Sequence, residues 1–151
     1  MKQSNDLILR TTTQIIAFML LGFSVYLFFA GHNAPGGGFI GGLMTSAAII
    51  LMYMTYGFEK IEKIIPINFR TLTVTGLLIA VLAGMGSMLF GASFLSHADG
   101  YYHLPLIGEK HLATALIFDL GVYLVVVGIT LTIILSIATD SEDESNQNVG
   151  V

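Results

Sequence analysis

The stretch of sequence that decides the fold is Gly31-His32-Asn33-Ala34-Pro35-Gly36-Gly37-Gly38-Phe39-Ile40-Gly41-Gly42. It interrupts a long run, residues 11–58, that contains no Asp, Glu, Lys or Arg. Pro35 disfavours the helical conformation at the residue before it, and the glycines that follow are poor helix formers. Beyond Phe39 the chain is again apolar over roughly 20 residues, the length that crosses a bilayer as a helix. The stretch therefore predicts a tight turn between two membrane-spanning helices.

The second of these helices begins with glycines at a spacing that suits close packing. Gly37 and Gly41 form a G-x-x-x-G pair, and Gly38 and Gly42 form an overlapping one. Because lipid provides no hydrophobic drive for helix association, small residues stabilise it by letting a second backbone approach closely. We therefore expect this face of the helix to contact protein. The predicted turn and packing motif comprises His32, Pro35, Gly36, Gly37, Gly38, Phe39, Gly41 and Gly42.

The composition predicts an integral membrane protein. Of the 151 residues, 54% are hydrophobic and only 11% are charged, against about 25% charged in soluble domains. The chain has no cysteine, which excludes disulfides and thiol chemistry. The first apolar run is longer than that of a cleavable signal peptide and has no small-residue cleavage site. No basic patch indicates nucleic-acid binding.

The predicted fold class is an all-α integral membrane protein with four transmembrane helices, at about residues 11–30, 37–58, 71–94 and 112–138. A short helical turn at the membrane surface is predicted between helices 2 and 3, where Glu59 and Lys63 have i,i+4 spacing and Pro66 stops the helix. Residues 1–139 then form one transmembrane domain. The acidic tail, residues 140–151, is predicted to be disordered.

The distribution of Lys and Arg predicts that both termini are cytoplasmic. This orientation places most basic residues inside, namely Lys2, Arg10, Lys60, Lys63 and Arg70, and leaves only Lys110 outside. The glycine turn and the loop at residues 95–111 are then predicted to lie outside the membrane.

Asp119 is the only formally charged side chain within any predicted span. A carboxylate near the bilayer centre costs about 2.5–3.5 kcal/mol on insertion scales, so such a residue usually faces protein or water. Counted from Leu112, Asp119 lies about 10 Å along its helix. Because helix 2 begins on the same side of the membrane, we expect its N-terminal end, which favours negative charge, to hold Asp119. A neighbouring subunit is the alternative partner.

Three roles for Asp119 are open at this point: a structural hydrogen bond, a part in a proton or sodium path, and an outward-facing acid that does neither. Gly121 and Gly128 lie about 180–200° around the same helix from Asp119, which predicts a second protein-contacting face. Helix 3 carries a second small-residue seam for close packing. Its members are Gly76, Ala80, Gly84, Ser87 and Gly91.

No motif predicts an enzyme active site, a metal site or a cofactor. The loop before helix 4 has titratable residues at spacings that match no metal-ligand signature, so solvated side chains are the favoured interpretation. These residues are His97, Asp99, His103, Glu109 and His111.

Three stretches together resemble the B-type subunit of the Mrp, also called Mnh, family of bacterial sodium/proton antiporters. They are Asn5-Asp6-Leu7-Ile8-Leu9, the motif from Gly31 to Leu43, and the run from Ala113 to Gly128. The resemblance implies an accessory component of a hetero-oligomeric complex in the bacterial cytoplasmic membrane, with lipid and the other subunits as its partners. It also implies that the complex exchanges Na⁺ for H⁺ and supports pH and sodium homeostasis.

We therefore predict a subunit needed for assembly, whose glycine seams receive neighbouring subunits. Asp119 either locks that packing or takes part in coupling or in a cation or proton path. The alternative is a purely structural scaffold subunit that no transported ion contacts. A transporter made only of copies of this chain is disfavoured, because exchange of two ions normally needs more than one titratable or liganding group.

Overall fold

The computed structural model describes residues 2–31, 37–89 and 108–150. The helices are α1, Lys2–Ala30; α2, Gly37–Tyr56; α3, Phe58–Ile64; α4, Phe69–Leu89; and α5, Gly108–Val149. Among the described residues, four helices are long and apolar enough to cross a membrane, namely α1, α2, α4 and α5. The prediction of an all-α chain with four membrane-spanning helices is confirmed for this part of the chain.

The spanning helices stand in a single row in the order α1, α2, α5, α4. α2 packs against α1 on one side and against α5 on the other, and α5 packs in turn against α4. Within the described ranges, no other pair of spanning helices brings its backbones together. Only two residues of α4, at the end of the row, are buried, namely Gly76 and Ala80. A row of this kind leaves broad apolar surfaces on both sides, as expected of a protein surrounded by lipid or by other membrane proteins.

α1 runs antiparallel to α2, and α4 runs antiparallel to α5, whereas α2 and α5 run parallel. This arrangement brings the ends rich in basic residues together. Arg10 of α1 lies over the ring of Tyr56 at the end of α2, 6.0 Å from the ring centroid. Glu59 of α3 and Ala138 of α5 line one cleft at the same end. The start of α1, α3 and the far part of α5 therefore share one end of the row. That this end faces the cytoplasm stays a prediction of the positive-inside rule.

α3 is the short helix predicted between the second and third spans. Its position at the membrane surface stays a prediction. Ile61 is completely buried, whereas Ile64 is 67% exposed. Phe58 packs on Tyr53 of α2 with ring centroids 5.5 Å apart. The helix ends two residues before Pro66, whose ring cannot continue it.

Gly57 joins α2 to α3 in a conformation that requires glycine. Its φ is 82° and its ψ is 161°, a region that costs a side-chain-bearing residue on the order of 1–3 kcal/mol. We expect Gly57→Ala to destabilise the α2–α3 corner by that amount, seen as faster hydrogen–deuterium exchange at the amides of α3. Gly22→Ala is the control, because Gly22 is helical and neither glycine has an atom within 4 Å of its Cβ position. Equal rates of hydrogen–deuterium exchange at the α3 amides in the two variants would contradict backbone strain at position 57.

α4 begins slightly earlier than predicted because Asn68 caps it. The Asn68 side-chain oxygen accepts a hydrogen bond from the Arg70 backbone N–H at 3.2 Å, which satisfies one of the donors left free at a helix start. The helix therefore starts at Phe69 rather than near residue 71. The predicted end, at residue 94, lies outside the described residues.

α1 and α5 are both longer than predicted. α1 starts at Lys2 rather than near Thr11, and α5 continues to Val149 rather than ending near Ala138. Both extensions lack Pro and Gly, so a helix that already exists adds their residues at little cost. The acidic segment, predicted to be disordered, is thus helical in the structure as far as Val149.

Candidate functional site

The site centres on the contact between Asp119 of α5 and the first turn of α2. The Gly38 backbone N–H donates a hydrogen bond to Asp119 Oδ1 at 2.9 Å, in a partly buried position. Gly38 is the second residue of α2, so its N–H has no partner within the helix and belongs to the positive end of the helix dipole. The structure therefore places the Asp119 carboxylate at the N-terminus of α2, within one chain and without a neighbouring subunit.

One face of the glycine motif is shaped to receive α5. A Cβ atom on Gly38 would lie 2.9 Å from Asp119 Cγ and closer still to the Asp119 backbone oxygen. One turn further along α2, a Cβ atom on Gly42 would lie 2.9 Å from Val126 Cβ and 3.1 Å from the backbone oxygen of Tyr123. Both positions need glycine because α5 occupies the space that a side chain would take.

The other face of the motif receives α1. A Cβ atom on Gly37 would lie 3.1 Å from the backbone oxygen of Leu27, and one on Gly41 would lie 3.1 Å from that of Ser24. The two overlapping G-x-x-x-G pairs thus serve two helices of the same chain. This corrects the prediction that these glycines receive neighbouring subunits. The physical reason is that residues one apart on a helix point about 100° apart, so the pairs form two adjacent faces.

The second seam is also used within the chain. A Cβ atom on Gly121 would lie 2.7 Å from the Ala80 backbone nitrogen and 2.9 Å from the Gly76 backbone oxygen. A Cβ atom on Gly128 would lie 2.9 Å from the backbone oxygen of Phe69. The predicted second face of α5 is therefore present, and α4 fills it.

The later residues of that seam are less enclosed. Gly84 lines an apolar groove of about 550 Å³ between α4 and α5, together with Met85, Met88 and Phe118. Ser87 is partly buried, and Gly91 lies outside the described residues. The seam is thus tight at Gly76 and Ala80 and opens towards Gly84.

A chain of hydroxyl groups lies beside the Asp119 contact. Ser24 Oγ is 2.5 Å from Thr45 Oγ1, and Thr45 Oγ1 is 2.6 Å from Tyr123 Oη. The three residues belong to α1, α2 and α5, so the chain crosses three helices. Neither Ser24 nor Tyr123 was identified from the sequence. Tyr123 could have been found, because it follows Asp119 by four residues and therefore shares its helix face.

Several predicted residues are not brought to this site. Phe39 is 52% exposed on the first turn of α2. His32, Pro35 and Gly36 lie outside the described residues, as do His97, Asp99 and His103. Glu109 and His111 lie in α5, but their side chains are not among those described. Within the described part of the chain, no three His, Asp or Glu side chains are grouped as a metal site requires.

The arrangement presents the Asp119 carboxylate in the middle part of the site, where the Gly38 backbone N–H donates a hydrogen bond to it. A family model described as a domain related to the MnhB subunit of Na⁺/H⁺ antiporter matches residues 8–132. The chain belongs to the MnhB family. The matched range contains every residue of the site, from Ser24 to Tyr123, and stops before the acidic extension of α5.

Curated relatives agree with the MnhB assignment over almost the whole chain. The B subunit of the Na⁺/H⁺ antiporter of Bacillus subtilis (strain 168) is 55% identical over 139 residues, which cover 92% of this MnhB-family chain and 97% of the relative. The protein of the same name from Alkalihalophilus pseudofirmus is 55% identical over 138 residues, covering 91% and 96%. With four membrane-spanning helices among the described residues, this MnhB-family chain is a multi-pass protein of the bacterial plasma membrane.

Proposed function

We propose that this chain is an accessory membrane subunit of a hetero-oligomeric Na⁺/H⁺ antiporter, needed for assembly of the complex and for coupling Na⁺ movement to proton movement. Its partners are the other subunits and the surrounding lipid, and Na⁺ and H⁺ are the ions that the complex transports. The names of the two relatives support an antiporter subunit, and a B subunit implies further subunits. The chain is a secondary transporter subunit rather than an enzyme.

The observation that carries the coupling role is the Asp119 carboxylate at the N-terminus of α2. A carboxylate in a membrane-spanning helix is costly, and such groups commonly serve ion or proton pathways. The helix N-terminus stabilises the charge without a cationic side chain. In the proposed function, Asp119 therefore contributes its carboxylate to the coupling of the two ion movements.

The alternative function is a structural scaffold that no transported ion contacts. The Gly38–Asp119 hydrogen bond supports it, because that bond alone gives the carboxylate a role in joining α2 to α5. The two functions differ in what they predict for a variant that keeps the packing and removes the charge.

Asp119→Asn provides that variant, because the amide oxygen of asparagine can still accept the Gly38 hydrogen bond. We expect the complex to assemble at normal levels, measured by co-purification with a tagged partner subunit. We expect Na⁺-dependent proton exchange in everted membrane vesicles to fall at least about tenfold, which corresponds to roughly 1.4 kcal/mol. Asp140→Asn is the matched control, since Asp140 is an exposed aspartate on the same helix, and its exchange should be normal. Full exchange by an assembled Asp119→Asn complex would establish the scaffold instead.

A further inference from the structure

The hydroxyl chain beside Asp119 has no place in the proposed function as it stands, although two of its three members are buried. Ser24 is 1% exposed and Thr45 is 8% exposed. A buried hydroxyl that lacks a partner is costly, so each of these groups is expected to use its hydrogen-bonding capacity fully. The direction of each hydrogen bond shows whether the hydroxyl chain can serve as a proton path.

Counting protons sets the direction of the chain. Ser24 Oγ donates to the Gly41 backbone oxygen at 2.8 Å. A hydroxyl group has one proton, so Ser24 must accept from Thr45 in their mutual hydrogen bond. The Thr45 proton is then used, and Thr45 must accept from Tyr123. The chain therefore runs from Tyr123 through Thr45 to Ser24 and ends at a carbonyl oxygen.

This direction limits the chemistry of the chain. A carbonyl oxygen has no proton to pass on, so the chain in this arrangement is not a proton path from α5 to α1. Its members instead hold three helices in one relative position. The link between Tyr123 and Thr45 joins α5 to α2, whereas Ser24 joins α1 to α2.

Only the first of these links bears on Asp119. Tyr123 lies one helical turn from Asp119, so the Tyr123–Thr45 and Asp119–Gly38 hydrogen bonds attach one stretch of α5 to α2 at two levels. The glycine face between the two helices provides close contact but no directional bond that resists sliding. The Tyr123 ring is also held from the side by Phe28 of α1, with ring centroids 5.4 Å apart.

We infer that Tyr123 and Thr45 are positioning residues, which set the register of α5 against α2 and thereby keep the Asp119 carboxylate on the Gly38 N–H. This inference rests on the proposed function, because it concerns how the coupling carboxylate is held. Ser24 supports the contact between α1 and α2 and has a smaller effect on Asp119.

The test compares variants that remove single hydroxyl groups from the complete antiporter complex. We expect Tyr123→Phe and Thr45→Val to assemble and to lower Na⁺-dependent proton exchange at least about fivefold, as expected for a lost hydrogen bond of roughly 1 kcal/mol. Thr45→Ser restores the hydroxyl and should recover exchange to within about twofold of normal, and Ser24→Ala should fall between the two. Thr13→Val is the matched control. Thr13 is 4% exposed and bonds to Thr55 across the α1–α2 contact, away from Asp119, so its exchange should be normal.

A combination with Asp119→Asn distinguishes positioning from general stability. If Tyr123 acts through Asp119, then Tyr123→Phe should cause no further loss of exchange in an Asp119→Asn complex, because coupled residues are not additive. An independent additional loss would overturn the inference. If the complex with Thr45→Val fails to assemble, Tyr123→Phe alone still tests the positioning role. That substitution removes only the hydroxyl oxygen and keeps the ring that packs against Phe28.

Failure of this inference and failure of the proposed function give different results. If Tyr123→Phe exchanges normally while Asp119→Asn does not, the positioning role is wrong and the coupling role of Asp119 stands. If Asp119→Asn exchanges normally in an assembled complex, the coupling role is wrong and the positioning role fails with it.

Discussion

Replacing Gly38 with alanine is expected to separate α2 from α5 and to break the Asp119 contact. The added Cβ atom would lie 2.9 Å from Asp119 Cγ and closer to the Asp119 backbone oxygen. A backbone atom cannot rotate out of the way, so a whole helix has to move. Overpacking of this kind costs about 1–3 kcal/mol, and the hydrogen bond to a charged group contributes a further 1.5–3 kcal/mol or so. We expect the free energy of unfolding of the purified chain in detergent to fall by roughly 3 kcal/mol or more.

Gly22→Ala is the control for this measurement. Gly22 is also a helical glycine, but nothing lies within 4 Å of its Cβ position. Alanine favours a helix by about 1 kcal/mol over glycine, so this variant should be as stable as the original or slightly more stable. Similar unfolding free energies for the Gly38 and Gly22 variants would show that α5 does not pack against the glycine face as described.

Gly121→Ala is expected to detach α4 from the row. A Cβ atom on Gly121 would lie 2.9 Å from Ala80 Cβ and 2.7 Å from the Ala80 backbone nitrogen. Among the described helices, α5 is the only one that packs against α4, so no second contact holds α4 in place. We expect a loss of about 1–3 kcal/mol, measured as faster hydrogen–deuterium exchange along α4 in lipid nanodiscs.

The matching control for α4 is Gly86→Ala, which places the same methyl group on a glycine with no atom within 4 Å. Exchange along α4 should remain slow in this variant. Protection that is equally high in the Gly121 variant would contradict the tight contact at Ala80. Because Gly121 faces away from Asp119, its substitution should also leave the Gly38–Asp119 contact intact.

The contrast between Gly38 and Gly121 follows from the order of the helices in the row. α1, α2 and α5 are joined by the hydroxyl chain and the Asp119 contact, whereas the described contacts of α4 with α5 are packing contacts at small residues. We therefore expect the proposed coupling role to depend on the three-helix group α1–α2–α5. α4 extends the apolar surface that the row offers to its surroundings.

Much of this site could be predicted from the sequence because its determinants are local. Pro35 and the glycines indicate where α2 begins, and the count from Leu112 gives the depth of Asp119. Those two facts predicted that the carboxylate meets the N-terminus of α2, as the hydrogen bond to Gly38 shows. What Asp119 does in the complex stays a prediction.

Other features could not be predicted because they depend on which helices become neighbours. The spacing of Gly37, Gly38, Gly41 and Gly42 predicts that another helix packs closely against α2. It does not specify which helix, since any helix backbone fits a surface without side chains. The hydroxyl chain was missed for the same reason. Ser24 and Tyr123 are separated by 99 positions in the sequence. No pattern in the residues around either of them indicates that the two side chains meet.

By itself the sequence determined that this is a membrane protein with four spanning helices, a glycine-rich start to the second, and one acid inside the fourth. These properties follow from hydropathy and from the backbone preferences of Pro and Gly, which act on residues close together in the chain. The tertiary structure alone decided the row order, the use of both glycine faces within one chain, and the link from Tyr123 to Ser24. These depend on how each helix is rotated about its axis against its neighbour, which small residues permit but do not specify.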